Sequence, residues 1–341
     1  MKILVTGGTG FIGSHTVVEL QNKGFEVVII DNLSNSQASV TDSIAKITGK
    51  KPELQVFDLT EREKTFDFFK KNRNLSGVIH FAASKAVGES VEKPLLYYRN
   101  NLDSLINVLD GMRENNIENF VFSSSCTVYG QPDSLPVSET APIKKAESPY
   151  GNTKQIAEEI IFDTVKATNL KAIALRYFNP IGAHESSLIG ELPIGVPNNL
   201  VPFITQTAIG LRQQLSVFGN DYNTPDGTAI RDYIHVVDLA KAHVVALNRM
   251  VQHKMKNDFE IFNLGTGKGY SVLETIQAFE KVTGVKLNFK IVGRREGDIE
   301  KVWADPSFSN TELGWKAEKE LDEMILSAWK WEKALQDKRK K

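Results

Sequence analysis

Short apolar runs alternate with longer amphipathic segments through the first 180 residues of the chain. Runs typical of buried strands cover residues 2–6, 25–31, 54–59, 77–83, 119–125 and 171–179. Segments of helical length between them include residues 12–23, 61–72, 94–115 and 149–169. Because strands that alternate with helices pair in parallel, this order predicts a doubly wound α/β domain with helices on both faces. The runs are continuously apolar, as in strands that are buried on both faces.

The pattern changes after Asn179. The stretch PIGAHESSLIGELPIGVPNNLVP is rich in Gly, Pro and Asn and predicts a long functional loop. Beyond it the elements are shorter and mixed, with helices predicted over residues 237–252, 271–283 and 319–336. We therefore expect a first domain over 1–180 and a smaller mixed α/β C-terminal lobe over 181–341, with a cleft between them. The chain is expected to return to the first domain around 232–258.

Composition excludes several classes of function. The net charge of −1 gives no basis for an electrostatic grip on nucleic acid or on an acidic membrane. Cys126 is the only cysteine, so no disulfide can form within the chain, and a cytoplasmic location is expected. No segment approaches the ~18 apolar residues that a membrane span needs. The histidines show no metal-ligand spacing such as HExxH, so no metal site is expected.

A glycine-rich turn, TGGTGFIG, follows the first predicted strand and opens the first predicted helix. Gly7, Gly10 and Gly13 allow the tight turn, the approach of a pyrophosphate and close helix–strand packing. Asp31 ends the second strand, where an acid accepts hydrogen bonds from the adenosine ribose. The following NLSNSQ has no Arg or Lys to receive a 2′-phosphate, so NAD is favoured over NADP. These features predict a Rossmann-type NAD-binding domain over residues 1–180.

A second glycine cluster, GTGKGYS at 265–271, lacks the spacing and the GK[ST] ending of a P-loop. It is interpreted as a loop before the next helix.

The stretch SPYGNTK predicts a helix start with a possible catalytic tyrosine. Ser148 suits the N-cap and Pro149 the first helical position, which places Tyr150 and Lys154 one turn apart on the same face. A tyrosine titrates near pH 10, and a nearby ammonium and a positive nicotinamide ring are expected to lower that pKa. Tyr-x3-Lys alone is common by chance on helix surfaces. Ser125, at the carboxyl end of the fifth strand, completes a trio suited to alcohol–ketone redox chemistry beside NAD.

The chain resembles the extended short-chain dehydrogenase/reductase family nearly end to end, and within it the UDP-glucose 4-epimerases. The resemblance is carried by TGGTGFIGSH, DNLSNS, HFAASKAVGESVEKPLLYY, FSSSCTVYG, SPYGNTK, LRYFNPIGAH, PNNL, FGNDY, DGTAIRDYIHV and RREGD. It implies a reversible oxidation of UDP-galactose or UDP-glucose at C4, rotation of the 4-keto sugar and return of the hydride to its other face. Tyr150 would remove the C4 proton, Ser125 would bond the C4 oxygen, and Lys154 would tune Tyr150 and bind the nicotinamide ribose.

The resemblance also implies a set of binding residues. NAD contacts besides the trio and the glycines would come from Phe11, Ile12, Asp31, Asn32, Asn35, Ser36, Asp58, Leu59, Phe81, Ala82, Lys85, Asn100 and Phe178. The lobe over 181–341 would hold the nucleotide sugar, with contacts from Asn179, Asn199, Leu200, Arg231, Arg295 and Asp298. Two arginines suit a diphosphate, which they can contact in forked fashion.

Three other functions share this scaffold. Nucleotide-sugar 4,6-dehydratases carry an Asp-Glu pair after the catalytic hydroxyl residue, whereas this chain has Cys126 and Thr127, which cannot perform that acid–base work. A net dehydrogenase or reductase would use the same trio and stays open. A non-catalytic NAD-sensing protein is disfavoured, because such proteins typically lose the tyrosine or the lysine.

Val302 stands where many epimerases of this family have a tyrosine against the sugar. A smaller residue there goes with a roomier pocket, so activity on UDP-N-acetylglucosamine and UDP-N-acetylgalactosamine is a hypothesis. The alternative is that Val302 simply packs and neighbouring bulk fills the gap. By analogy with the family, helices 94–115 and 149–169 would pair across a homodimer.

Overall fold

The computed structural model describes residues 1–295 and 298–340. Its strands are β1 (Lys2–Thr6), β2 (Glu26–Asp31), β3 (Glu53–Val56), β4 (Leu75–His80), β5 (Asn119–Ser125), β6 (Lys171–Tyr177), β7 (Asn179–Ile181), β8 (Leu215–Phe218), β9 (Ile230–His235), β10 (Phe259–Leu264), β11 (Gly269–Ser271), β12 (Phe289–Val292) and β13 (Lys301–Val302). Its α-helices are α1 (Phe11–Asn22), α2 (Val40–Thr48), α3 (Arg62–Lys71), α4 (Val87–Glu92), α5 (Pro94–Tyr98), α6 (Ser104–Glu114), α7 (Pro149–Ala167), α8 (Leu200–Ala208), α9 (Val236–Val251), α10 (Val272–Thr283) and α11 (Leu321–Arg339).

Seven parallel strands form the central sheet, in the order β10, β6, β5, β4, β1, β2, β3. The direction of winding reverses at β1, because β2 and β3 lie on one side of it and the later strands on the other. Open parallel sheets bind ligands at such a switch point, beyond the carboxyl ends of their strands. The doubly wound α/β fold predicted from the sequence is confirmed.

Both faces of this sheet are buried, which explains the continuously apolar strands. On one face, Val5 and Ile29 pack with residues of α1 and α9. On the other face, Leu4 and Val28 pack with residues of α3, α6 and α7. Neighbouring residues on one strand therefore pack against helices on opposite faces of the sheet. Each fully buried aliphatic side chain contributes about 1.5–3 kcal/mol of stability relative to an exposed one.

Several element bounds differ from the predicted ones. The strands predicted over 54–59 and 77–83 are shorter, and the helix predicted over 94–115 consists of α5 and α6 joined by a turn of π-helix at Arg99–Asp103. The strand predicted over 171–179 ends at Tyr177. Its last residue, Asn179, begins the separate strand β7, which pairs with β9 rather than with the central sheet. This break sends the chain away from the sheet at the edge where ligands bind.

A smaller part of the chain is built around β9. This strand pairs in parallel with β7 and β13 and antiparallel with β11, while β8 and β12 form a separate parallel pair. Helices α8, α10 and α11 cover these strands and enclose an apolar core that includes Phe279 and Trp329. Strand β10 pairs with β6 in the central sheet, and α9 packs in the core that contains α1. The division into domains at residue 180 stays a prediction.

The carboxylate of Asp232, which is fully buried on β9, joins three segments of the smaller part. It accepts hydrogen bonds from the amide and the hydroxyl of Thr266, at 2.9 and 2.6 Å, and from the amides of Gly267 and Ala304, both at 3.1 Å. The glycine cluster at 265–271 therefore bends around this carboxylate. A side chain at Gly265 would place its Cβ 2.4 Å from an Asp232 oxygen.

Asp232→Ala should destabilise the fold strongly, since it leaves four donors without their acceptor. The expected loss in the free energy of unfolding is at least ~3 kcal/mol. Urea denaturation measures it. Asp258→Ala is the matched control, because the Asp258 side chain is 71% exposed and lies 3.9 Å from Lys171. A loss at Asp232 as small as that at Asp258 would contradict the assigned role.

Candidate active site

The glycine turn brings the start of α1 against the end of β1. Gly7 has a φ of +67°, and a Cβ there would lie 2.9 Å from the amide nitrogen of Ala82. A Cβ on Gly13 would lie 2.2 Å from the carbonyl oxygen of Gly7, so no larger residue fits. The N-cap residue of α1 is Gly10, which has no side chain to bond the first-turn amides. The amides of Phe11 and Ile12 thus open the helix at the switch point, as an anion site requires.

Asp31 lies beside this turn at the end of β2. Its Oδ2 accepts from the amide of Thr9 at 3.2 Å, and its Oδ1 accepts from the amide of Leu33 at 2.9 Å and the hydroxyl of Ser36 at 3.0 Å. The Thr9 and Ser36 hydroxyls are 2.7 Å apart. The acid is therefore oriented by its own loop, next to the glycine turn, where the sequence predicts it to meet a ribose.

The next strand adds polar groups to the same edge. Asn32 donates from Nδ2 to Oδ2 of Asp58 at 2.8 Å, and the amide and hydroxyl of Thr60 donate to Oδ1. Leu59 is buried directly after Asp58, and Asn35 is exposed in the loop that follows β2. The structure thus places the residues predicted to contact the adenosine end on the loops after β2 and β3.

Of the other residues predicted to contact NAD, Phe81, Ala82 and Lys85 follow β4, and Asn100 lies in the π-helical turn between α5 and α6. The amide of Ala82 donates to the hydroxyl of Thr6 at 3.3 Å, and the ring of Phe81 packs 4.6 Å from that of His243. Asn100 donates from Nδ2 to the hydroxyl of Ser84 at 3.2 Å. Backbone and amide groups therefore line this section, with Phe81 turned towards the core.

Helix α7 begins where the sequence predicts. Ser148 is its N-cap and accepts from the amide of Gly151 at 3.2 Å, with Pro149 at the first helical position. Tyr150 is thereby held in the first turn, and Ser125 ends the neighbouring strand β5. The Ser125 hydroxyl accepts from the amide of Thr127 at 3.2 Å, which orients its oxygen.

Ser125, Tyr150 and Lys154 are all buried, with 6%, 7% and 5% of their surface exposed. The Lys154 Nζ donates to the carbonyl oxygen of Ser123 at 2.7 Å. It lies 4.7 Å from the ring centre of Phe122 and 5.9 Å from that of Tyr150. The trio thus forms a desolvated polar group at the carboxyl edge of the sheet, beside the loop that carries Ala82.

The surroundings of Tyr150 act on its pKa in both directions. Burial raises it, and the neighbouring Tyr177 raises it further, while only the Ser125 hydroxyl among nearby groups lowers it appreciably. Burial also lowers the pKa of Lys154 to about 8, against the opposing effect of Glu158. The predicted lowering of the Tyr150 pKa, by the ammonium and a nicotinamide ring together, stays a prediction, and burial opposes it because a phenolate is costly to take out of water.

The residues predicted to hold a nucleotide sugar lie on the smaller part and at the start of β7. Asn179 begins β7, and Asn199 is the N-cap of α8, with Leu200 as its first residue. Arg231 on β9 donates from Nη1 to the carbonyl oxygen of Ile230 at 2.9 Å. These positions offer a helix N-terminus and a guanidinium, both of which suit phosphate groups.

Arg295 and Asp298 form a forked pair. Nε of Arg295 donates to Oδ2 of Asp298 at 3.1 Å, and its Nη2 donates to Oδ1 at 2.7 Å. The two residues of the RREGD motif between Arg295 and Asp298, at 296–297, lie outside the described residues. The guanidinium of Arg295 lies 5.5 Å from the ring centre of Phe218, which is 39% exposed. Phe218 belongs to the FGNDY motif but was not predicted as a site residue; its exposed ring beside an arginine offers a surface on which a base could stack.

A second residue missed from the sequence is Glu191, in the long loop after β7. Its Oε1 accepts from Nδ2 of Asn199 at 2.6 Å and lies 3.6 Å from the Nζ of Lys85. This carboxylate thus bridges a residue predicted to contact the cofactor and one predicted to contact the substrate. Its position in a loop rich in Gly and Pro gave no periodic signal.

Val302 is 2% exposed and packs in a cluster with Phe178 and Val128, with Cys126 against its edge. Its strand, β13, pairs with β9 so that Val302 is opposite Arg231. Cys126, which follows Ser125, and Val302, which the resemblance places against the sugar, thus belong to one apolar wall.

Comparison with known proteins agrees with this geometry. Residues 4–327 match the family described as GDP-mannose 4,6 dehydratase. The chain is 50% identical over 334 residues to UDP-glucose 4-epimerase of Haemophilus influenzae, with 98% of each chain covered. This chain belongs to the UDP-glucose 4-epimerase family. The resemblance predicted from the sequence is confirmed.

Solved structures of UDP-glucose 4-epimerases share the fold. The enzyme from Stenotrophomonas maltophila, crystallised with bound NAD and formylated UDP-arabinopyranose, is 48% identical, with a TM-score of 0.95 over 99% of each chain. The UDP-Glc/GlcNAc 4-epimerase of the human pathogen Campylobacter jejuni is 35% identical, with a TM-score of 0.83 over 98% of this chain and 99% of that one. Within the described residues, no helix is long and apolar enough to cross a membrane, and no three His, Cys, Asp or Glu residues are grouped as metal ligands.

Lys154→Met should stabilise the protein at neutral pH, because it removes a buried ammonium. The pKa of Lys154 falls from 10.5 to about 8 on folding. Between those values the unfolded chain binds more protons, so wild-type stability rises with pH relative to the variant. Urea denaturation should show that the difference in free energy of unfolding between the variant and the wild type narrows by about 2–3 kcal/mol from pH 7 to pH 10. Lys166→Met on the exposed side of the same helix is the control, and a Lys154→Met difference independent of pH would contradict the prediction.

Proposed function

We propose that this chain is a UDP-glucose 4-epimerase that interconverts UDP-galactose and UDP-glucose through NAD held in its site. The observation that carries the proposal is the convergence of Ser125, Tyr150 and Lys154 on one edge of the sheet, buried and beside the glycine turn. A hydroxyl, a phenol and an ammonium in that place suit reversible oxidation of a secondary alcohol.

The residues around the turn fit NAD. The close approach of Gly13 to Gly7 leaves room for a pyrophosphate at the start of α1, where amides and the helix dipole attract its charge. Asp31 is oriented to accept from ribose hydroxyls. NAD, when bound, would supply the hydride acceptor and donor, and its positive nicotinamide ring would lower the pKa of Tyr150 where Lys154 alone does not.

The trio would manage the proton. The Tyr150 oxygen would accept the proton of the sugar C4 hydroxyl and return it after the keto sugar turns. Ser125, with its oxygen oriented by the Thr127 amide, would hold the C4 oxygen in line with Tyr150. Lys154 would stabilise the phenolate and reach the nicotinamide ribose. General acid–base catalysis of this kind contributes about 10²–10⁴ in rate.

The smaller part would hold the nucleotide rather than the sugar. Arg231 and Arg295 would contact the diphosphate together with the N-terminus of α8, and Phe218 would stack on the uracil. Arg295 would exchange part of its pairing with Asp298 for the phosphate. An anchor at the nucleotide leaves the sugar free to present either face to the cofactor, which epimerisation needs.

Two other proposals have less support. A net dehydrogenase would use the same trio, but the named relatives above 45% identity are epimerases. A non-catalytic NAD sensor would have no use for a buried, aligned Ser125, Tyr150 and Lys154. The homodimer and the cytoplasmic location stay predictions. For the dimer, the face formed by α5, α6 and α7 exposes Leu95, Ile106 and Phe162.

Val302 supports a broader substrate range as part of the proposal. Its side chain is small, lies against Phe178 and is continuous with Cys126, another small residue. A tyrosine at position 302 would add bulk to this wall. We therefore include UDP-N-acetylgalactosamine and UDP-N-acetylglucosamine among the expected substrates. The 35%-identical relative named as a UDP-Glc/GlcNAc 4-epimerase supports this extension of the proposal.

Purified protein given UDP-galactose without added NAD should form UDP-glucose, as followed by proton NMR. Tyr150→Phe should lower turnover by about 10²–10⁴ because it removes the proton acceptor. Tyr98→Phe is the control. The Tyr98 hydroxyl contacts Asn152, which lies on α7 with Tyr150, at 2.6 Å. If turnover required added NAD and NADH then accumulated, the protein would be a net dehydrogenase and the proposal would fail.

Wild-type protein should also epimerise UDP-N-acetylgalactosamine, and Val302→Tyr should lower that turnover at least ~10-fold while keeping UDP-galactose turnover. A phenol in place of an isopropyl group removes the space for the acetamido group, and such steric discrimination is worth about 1–3 kcal/mol. Competition assays with both sugars measure the ratio. Val91→Tyr on exposed α4 is the control. An unchanged ratio in Val302→Tyr would reject the role of this residue.

A further inference from the structure

A buried carboxylate lies directly behind the catalytic trio. Glu158 is one helical turn beyond Lys154 on α7 and only 7% exposed. Its Oε1 accepts from the Ser124 hydroxyl at 2.5 Å and from Nε of Arg176 at 3.0 Å, while its Oε2 accepts from Nη2 of Arg176 at 2.5 Å. Neither the sequence motifs nor the proposed chemistry assigns this residue a role.

The partners of Glu158 are the neighbours of the reacting groups. Ser124 precedes Ser125 on β5, and Arg176 precedes Tyr177 on β6, where Ser124 and Arg176 are opposite each other in the strand register. One carboxylate therefore links the helix that carries Tyr150 to the strand end that carries Ser125.

The network continues beyond Arg176. Its Nη1 donates to the Tyr129 hydroxyl at 3.0 Å, and that hydroxyl donates to Oδ1 of Asn263 on β10 at 2.7 Å. The Asn263 amide donates to Oε1 of Glu139 at 2.7 Å. Every polar atom along this path has a partner, so the carboxylate and the guanidinium are held in single positions.

We propose that Glu158 is a positioning residue for the proposed epimerase reaction, which keeps Lys154 charged and holds α7 in register with β5. The inference rests on the proposed function. Glu158 does not reach substrate or cofactor and acts through Lys154 and Ser124.

The charges around Lys154 support the first half of this role. Its other near neighbours carry no negative charge at neutral pH. They are the Ser123 carbonyl and the Phe122 ring on β5, Tyr150 on α7 and His80 on β4, while Arg176 on β6, paired with Glu158, carries a positive charge. Burial lowers the pKa of Lys154 to about 8, and Glu158 is the charge that opposes this effect. The lysine must be an ammonium to stabilise a phenolate, and its pKa leaves little margin above neutrality.

A purely structural ion pair would be a weak explanation for Glu158. Buried pairs are often no more stabilising than well-packed apolar residues of similar volume. The pair here sits one turn from the lysine and one residue from the serine, where an apolar replacement would leave Lys154 without a nearby anion.

Glu158→Gln tests the charge at nearly constant shape, with Glu159→Gln on the exposed side of α7 as the matched control. We expect kcat of Glu158→Gln to fall more at high pH than at low pH. The ratio of wild-type to variant kcat for UDP-galactose, measured from pH 6.5 to 8.5, should rise by up to about ten-fold for each unit by which the pKa of Lys154 falls. KM should change less than kcat, since the anchoring residues lie across the cleft.

A double variant separates this role from folding, because Glu158→Gln alone leaves Arg176 buried without a counter-ion. Glu158→Gln with Arg176→Met removes both charges together and should unfold at a temperature nearer the wild-type one. The kcat of the double variant should still decline more steeply with rising pH than the kcat of the wild type. A double variant with the wild-type pH profile, or a loss of kcat that is equal at all pH values, would overturn the proposal.

The Nζ shift of Lys154 gives a readout independent of turnover. Protein labelled with ¹⁵N-lysine, with the Lys154 signal assigned from Lys154→Met, should titrate at lower pH in Glu158→Gln than in the wild type. An unchanged titration would reject the inference even if the wild type epimerises UDP-galactose. A shifted titration in a protein that does not epimerise would instead refute the proposed function and leave the effect of Glu158 on Lys154 standing.

Discussion

The contact of Gly13 with the carbonyl oxygen of Gly7 determines where everything else in the site can lie. A Cβ on Gly13 would stand 2.2 Å from that oxygen, so the first helix can press onto the end of β1 only with glycine at this position. The close approach sets the uncapped start of α1 at the point where the winding of the sheet reverses. Asp31 and Ser125 end strands of the same sheet, so the acid predicted to meet a ribose and the hydroxyl predicted to meet a sugar reach the same edge from opposite sides.

Burial then governs the chemistry of that edge. Taking a phenol out of water favours its neutral form, and taking an ammonium out of water also favours the neutral form, so burial raises the pKa of Tyr150, lowers that of Lys154 and moves the two values apart. Such a pair is inactive without other charges nearby. The carboxylate of Glu158 supplies a permanent one on the protein side. The positive ring of a bound nicotinamide would supply the other, which ties the basicity of Tyr150 to the presence of the cofactor.

Sequence reasoning found the features that depend on local pattern. It predicted the doubly wound sheet, the glycine turn and the start of α7, because strand periodicity, glycine spacing and a Ser-Pro cap act over a few residues. It missed α8, whose segment is rich in Asn and Pro, and the bridging role of Glu191, which depends on contacts across the fold. The opposing effect of burial on the Tyr150 pKa was not predicted, because the extent of burial is a tertiary property. The domain boundary at 180 and the individual binding residues stay predictions.

Asp232 has a consequence for how this enzyme family can diversify. The backbone on either side of Val302 is tied to β9, through strand pairing with Arg231 and through the Ala304 amide on the Asp232 carboxylate. A change of side chain at 302 therefore alters the volume of the wall without shifting the chain that bears it. Under the proposed function, mutational drift at this one position would retune the choice of sugar while the scaffold and the catalytic geometry are inherited intact.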